Sequence, residues 1–138
     1  TILREGRDVL LALRPTDPHA LLMGDYMDLE YELDWLIPDA TGPGCLPLHP
    51  DAADHHQISP EAFIPDSDCK GVPAPALCRK KAASGLLFFD LPRRYYFEAG
   101  QARQYEHAAF AVLRCDRTSR CLLAGLAGKD GKRLGPAR

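Results

Sequence analysis

Residues 26–33 read Tyr-Met-Asp-Leu-Glu-Tyr-Glu-Leu, an alternation that no other stretch of the chain sustains as long. Side chains on a strand point to opposite faces at a period of two, so this octapeptide is written for an extended, half-buried segment. Met27, Leu29, Tyr31 and Leu33 form the candidate core face, and Tyr26, Asp28, Glu30 and Glu32 form the candidate solvent face. Gly24 and Asp25 stand just before it and suit a tight turn whose backbone N–H groups the Asp carboxylate accepts. Tyr26 and Tyr31 lie five residues apart, which places them on opposite faces of a regular strand. The paired acids Asp28/Glu30 and Glu30/Glu32 share a face and read as solvation rather than as an acid–base pair.

The rest of the chain supplies partners for such a strand. Residues 7–14 form a strand ended by Pro15 and by Asp17-Pro18. Residues 86–90 and 94–97 read as strands separated by Leu91-Pro92-Arg93. Residues 109–114 and 121–126 read as a hairpin, and 128–138 are expected to fray. Residues 100–107 are the best helix candidate, rich in helix formers and opened by Gly. Residues 38–85 hold most of the prolines and little periodicity. They read as a long surface loop, held down by Trp35, Ile37, Phe63, Ile64 and cysteines, with one short helix at Ser59-Pro60-Glu61. The expected fold is mainly β: one domain over residues 1–138, a small sandwich or partly open barrel with one short helix, the Pro-rich 38–85 segment being an insertion.

Composition and charge narrow the function classes. With 138 residues, 46% of them hydrophobic and 26% charged, the chain suits one folded domain. No apolar run approaches the ~18–20 residues that span a membrane. The chain opens on Thr1 without Met, as an excised or processed piece would, which leaves an N-terminal anchor upstream compatible with the sequence. The net charge of −2 conceals an asymmetry. Residues 15–69 contain twelve Asp/Glu and no Lys or Arg, whereas residues 70–138 contain fourteen Lys/Arg and five Asp/Glu. The two halves are expected to fold against one another; a field that orients a partner or binds cations is the alternative. The basic residues form no dense run, which argues against nucleic acid.

Five cysteines in so short a chain point to disulfides. Cys115 and Cys121 flank a polar turn between two apolar runs and would face each other across a hairpin. Cys69 and Cys78 bracket a turn-like loop. Two bridges, Cys115–Cys121 and Cys69–Cys78, with Cys45 free, are expected.

Other chemistry finds less support. His55 and His56 follow Asp51 and Asp54, with His49 and Cys45 upstream, but no ligand pair has a zinc-site spacing. Asp66 to Gly71 resembles the start of a calcium loop and departs from it at Lys70 and Leu77. A Cys115–His107 pair competes with the hairpin bridge. No metal or other cofactor is expected.

Gly-Asp-Tyr-Met-Asp-Leu-Glu-Tyr at 24–31 matches, letter for letter, the signature of the bacterial GDYXXLXY proteins. Pro15-Thr16-Asp17-Pro18 with Leu21-Leu22 resembles the run that precedes it. Tyr95-Tyr96-Phe97-Glu98-Ala99-Gly100, followed by Tyr105-Glu106, is similar to the family's second block, with Ala99 where a Glu is usual. The resemblance covers residues 7–34 and 85–127. It implies a mostly β domain on the periplasmic face of the inner membrane, tethered by a single N-terminal helix and accompanying a multi-span membrane protein, with no established activity. The expected contact residues are Asp25, Tyr26, Tyr31, Tyr95, Tyr96, Phe97 and Glu98. A non-enzymatic accessory domain is the first expectation. A metal-binding periplasmic protein and a hydrolase are the alternatives. For the latter, residues 18–26 are faintly similar to signal peptidases, but Pro15, Thr16 and Asp17 stand near the place of the Ser nucleophile and no Lys precedes Lys70.

Overall fold

Strand β1 (Arg7–Ala12) lies antiparallel to β10 (Phe110–Cys115), with Val9 opposite Leu113 and Leu11 opposite Ala111. These four are fully buried and face the main core. Strand β11 (Cys121–Ala127) completes the order β1-β10-β11. The computed structural model describes residues 7–14, 26–50, 56–73, 75–98, 100–116, 118 and 120–135. The other face of this sheet is also apolar: Leu10, Val112 and Ala127 form a second, smaller cluster with Phe110 and Ala124. A register shift between Val112 and Leu113 marks a bulge opposite Ala124 and Gly125. There the Arg133 Nη2 donates to the Ala124 carbonyl at 2.5 Å. A Cβ on Gly125 would lie 2.5 Å from that nitrogen, so a larger residue here would push the Arg133 guanidinium off the Ala124 carbonyl.

The hairpin between β10 and β11 is fixed by Asp116. Its Oδ1 accepts from the Thr118 backbone N–H, the Thr118 hydroxyl and the Arg120 N–H. These bonds, that from the Thr118 hydroxyl first, hold the carboxyl below its ordinary range. Residues beyond β11 do not fray before 135. Arg133 bridges Ala127, the Leu134 N–H donates to the Leu126 carbonyl, and Leu134 packs on the core. The basic, Gly-rich composition hid one apolar residue at the right place to turn the chain back.

The alternating segment keeps its alternation but not its strand. Only Tyr26–Asp28 (β2) is a strand; Leu13 bridges Tyr31, and a 3-10 helix covers Glu32–Trp35. Met27, Leu29, Tyr31 and Leu33 are all buried, and Tyr26, Asp28, Glu30 and Glu32 are exposed. β2 pairs antiparallel with β9 (Arg94–Tyr96) in a separate two-stranded sheet.

The Pro-rich segment is where the sequence reading departs most from the structure. Residues 38–85 are not a long loop. They provide β3 (Gly44–Pro47), β4 (His49–Pro50), β5 (His56–Gln57), β6 (Ile64–Pro65) and β7 (Ala76–Lys81). With β8 (Leu87–Phe89), a four-stranded antiparallel sheet runs β6-β3-β7-β8. Leu46 and Leu77 face each other in its centre and enter the same core as β1 and β10. The strands are short and prolines sit at their ends or on the edge strand β6, where no inward N–H is required. That is why periodicity did not show them. Ile37 and Phe63 hold this segment to the core, whereas Trp35 is 65% exposed and Ile64 is also exposed. A 3-10 turn at Pro60–Ala62 stands where a short helix was expected. The longer helix expected over 100–107 shrinks to a 3-10 turn, Ala102–Tyr105. Its inward residues, Ala102 and Tyr105, anchor it, and too few apolar positions recur to extend an α-helix.

Arg79 ties the new sheet to the turn before it. Arg79 is 3% exposed, and its guanidinium donates to the carbonyls of Ile37, Pro38 and Gly42 at 2.7–3.0 Å. The rings of Phe63 and Phe89 lie 5.1 and 5.8 Å from it. Burial lowers its pKa and Asp39 opposes that, while its five donors let it reach three backbone acceptors at once, one of which, the Pro38 carbonyl, also accepts from the Thr41 N–H.

Candidate functional site

The signature strand and the aromatic block are neighbours. Tyr26 pairs with Tyr96, Met27 with Tyr95, and Asp28 with Arg94. The alternation of β2 and β9 sorts these residues onto two faces. Met27 and Tyr95 turn inward, where Tyr95 meets Tyr105 edge-on at 5.1 Å and Phe97 stacks on Tyr105 at 5.5 Å. Tyr26, Asp28, Arg94 and Tyr96 turn outward.

The outward residues form one connected strip. The Tyr26 and Tyr96 rings lie 5.9 Å apart, 38% and 66% exposed. The Arg94 guanidinium sits 4.1 Å above the Tyr26 ring, and its Nε donates to Asp28 Oδ1 at 3.1 Å. A side-chain hydrogen bond with Tyr96, then that with Asp28, pushes the Arg94 pKa up. Two exposed tyrosines around an ion-paired guanidinium make an amphipathic surface. Tyr and Arg are the residues from which protein contact surfaces are enriched.

The other expected contact residues divide clearly. Tyr31 is fully buried, and its hydroxyl donates to the Pro92 carbonyl at 2.7 Å. Arg93 lies 5.1 Å from its ring and forms a two-pronged ion pair with Asp34 at 2.5 and 3.0 Å. Burial pushes the phenol far above its ordinary range, so Tyr31 is a neutral core residue. Tyr95 and Phe97 are half-buried and pack inward. Glu98 is exposed, and its carbonyl accepts from the Gln101 N–H. Asp25 lies outside the described residues. Arg94 and Asp28 were not among the expected contact residues, although the alternation already put Asp28 on the face of Tyr26.

The cysteines form two bridges and leave one free thiol, with one pairing corrected. Cys115 is bonded to Cys121 as expected. The second bridge is Cys45–Cys69, not Cys69–Cys78, and Cys78 is free. Once 38–85 is a sheet, Cys45 lies on β3 beneath the 66–73 turn, and sequence proximity no longer selects the partner.

The remaining candidates gain no site. Cys115 is engaged in its bridge, so it is no nucleophile for His107. Cys45 is engaged likewise. Asp51, Asp54 and His55 lie outside the described residues, and among the described residues no three His, Cys, Asp or Glu side chains converge as metal ligands. An open cleft of about 420 Å³ lies between the 39–43 turn and the β7–β8 turn, lined by Asp39, Gly42, Pro43, Lys81 and Leu86. Among the described residues no helix is long and apolar enough to cross a membrane.

Sequence comparison decides the family. A profile described as GDYXXLXY protein matches residues 1–126. The chain belongs to the GDYXXLXY family. No curated protein and no solved structure matches it. In this GDYXXLXY protein the first tyrosine of the signature is a surface residue and the second a core residue, so the motif combines one exposed position with one that holds the fold.

Proposed function

We propose that this protein is a non-enzymatic, membrane-tethered envelope domain that acts as an accessory to a multi-span membrane protein. The strip Tyr26–Arg94–Tyr96 is its contact surface. The observation that carries this reading is that both family blocks meet on one two-stranded sheet and present aromatic side chains to solvent. Exposed aromatic side chains are informative when they adjoin, as the Tyr26 and Tyr96 rings do. Two disulfides support an oxidising compartment such as the periplasm. Tethering through an N-terminal helix, the periplasmic address and the partner class rest on the family resemblance.

The test is affinity capture from detergent-solubilised membranes with the full-length protein. A multi-span membrane protein is expected to co-purify with the wild type and to be lost with Tyr26→Ala/Tyr96→Ala. Capture of no membrane protein, or equal capture by the double variant, would refute the assignment.

A further inference from the structure

Cys45 and Cys78 occupy directly opposed positions on β3 and β7. Opposed residues of an antiparallel pair project to the same face, and here it is the face away from Leu46 and Leu77. The hydrogen bonding around them fixes the kind of pair. The Leu48 N–H donates to the Pro75 carbonyl, and the Cys78 carbonyl accepts from Asp90 on the opposite side of β7. The backbone groups of Cys78 therefore point away from β3, and Cys45↔Cys78 is a non-hydrogen-bonded pair. Such pairs bring Cα atoms to about 4.5 Å with side chains close, inside the range a disulfide spans.

The same molecule already carries a bridge of this kind. Cys115 and Cys121 are directly opposed on β10 and β11, the Asp116 N–H donates to the Arg120 carbonyl next to them, and their Cα atoms are 4.0 Å apart. At the second such position, Cys45 is bonded instead to Cys69, which reaches it from the 66–73 turn. Both Asp66 and Cys69 in that turn have positive φ, at 61° and 70°. For residues other than glycine this region is sparsely populated, Asp tolerating it better than Cys. Three sulfurs thus share one face: a bridge whose turn partner is held in a strained backbone, and a free thiol opposite its strand partner.

We propose that Cys78 is the resolving thiol of an internal disulfide exchange that switches Cys45 between Cys69 and Cys78. The Cys78 thiolate attacks Cys45 Sγ, the Cys45–Cys78 bond forms, the Cys45–Cys69 bond breaks, and Cys69 leaves as a thiolate that takes up the proton Cys78 released. No oxidant or reductant is consumed. In one state the 66–73 turn is pinned over Cys45. In the other the β3–β7 pair is stapled and the turn is released, exposing a thiol at Cys69. The groups around Cys78 set the rate. Burial holds its thiol above the ordinary range, the Lys80 ammonium opposes this, and Asp90 and Asp68 reinforce it. Exchange is therefore slow at neutral pH and accelerates as the thiolate fraction grows.

Peptide mapping under non-reducing conditions tests this on the intact chain, with thiols alkylated at acid pH before digestion. No Lys or Arg lies between 15 and 69, so an acidic-site protease must be combined with trypsin to separate Cys45, Cys69 and Cys78. The wild type at mildly acid pH should give the Cys45–Cys69 peptide with Cys78 alkylated. At alkaline pH a Cys45–Cys78 peptide should appear, with Cys69 alkylated, at a rate rising about tenfold per pH unit below the thiol pKa. Cys69→Ser, oxidised with glutathione disulfide, should form Cys45–Cys78, with the Cys115–Cys121 peptide reporting a native fold. A wild type that yields no Cys45–Cys78 peptide at any pH, or yields Cys69–Cys78 instead, overturns the exchange. A folded Cys69→Ser chain that keeps Cys45 and Cys78 as thiols overturns the geometry on which it rests.

Discussion

Tyr31 and Tyr26 show how two residues of one motif are given opposite tasks by their side-chain direction alone. Tyr31 sits in the core with a single internal hydrogen bond to Pro92. Tyr31→Phe should lower stability by about 1 kcal/mol in urea unfolding, because the Pro92 carbonyl loses its donor while the ring still packs. The raised pKa of the phenol adds a pH signature. A proton held more tightly in the folded state contributes stability fully below the ordinary tyrosine range and loses it as pH rises past about 10. Stability of the wild type should therefore fall steeply above that pH, and Tyr31→Phe should flatten that fall. Arg79 is the other residue on which the interior turns. Arg79→Met keeps the aliphatic bulk but takes the guanidinium donor from the Ile37 and Gly42 carbonyls, while the Pro38 carbonyl still accepts from the Thr41 N–H. It should destabilise by about 3 kcal/mol or more, measured the same way.

Gly44 and the β10–β11 hairpin carry the argument for elements. A Cβ at Gly44 would lie 2.6 Å from the Phe63 ring and meet the Ile64 carbonyl oxygen, so β3 admits β6 and Phe63 only across a glycine. Gly44→Ala should cost about 1–3 kcal/mol, seen as a lower melting temperature. Cys115→Ser/Cys121→Ser should cost about 2 kcal/mol, modest because the closed loop is short and Asp116 already fixes the turn. Sequence periodicity disclosed β1, β10, β11 and the direction of every side chain from 26 to 33. It did not disclose β3 or β7, whose four and six residues hold Pro47 at one strand end and a buried Arg79 in the middle. Arg79 reads as a surface residue until the carbonyls it satisfies are known. The Cys69–Cys78 expectation failed for the same reason: a partner across a sheet cannot be chosen before the sheet is recognised.

For the whole molecule, charge and topology act together. The acidic stretch 15–69 and the basic stretch 70–138 meet through Asp34–Arg93 and Asp28–Arg94, as expected of two halves folded on one core. The second of these pairs lies on the solvent side of β2 and β9, so the contact that joins the halves also shapes the strip between Tyr26 and Tyr96. The strip was half legible in advance. The aromatic residues were visible, but which faced water depended on the register Tyr26↔Tyr96, a long-range pairing that local pattern does not encode. The most direct measurement is photo-cross-linking in cells with a benzophenone side chain at Tyr96, compared with one at Leu122, which is exposed on β11. The expected result is an adduct with a membrane protein from position 96 and none from 122; adducts from 122 alone, from both equally, or from neither would contradict the assignment of the strip as the contact surface.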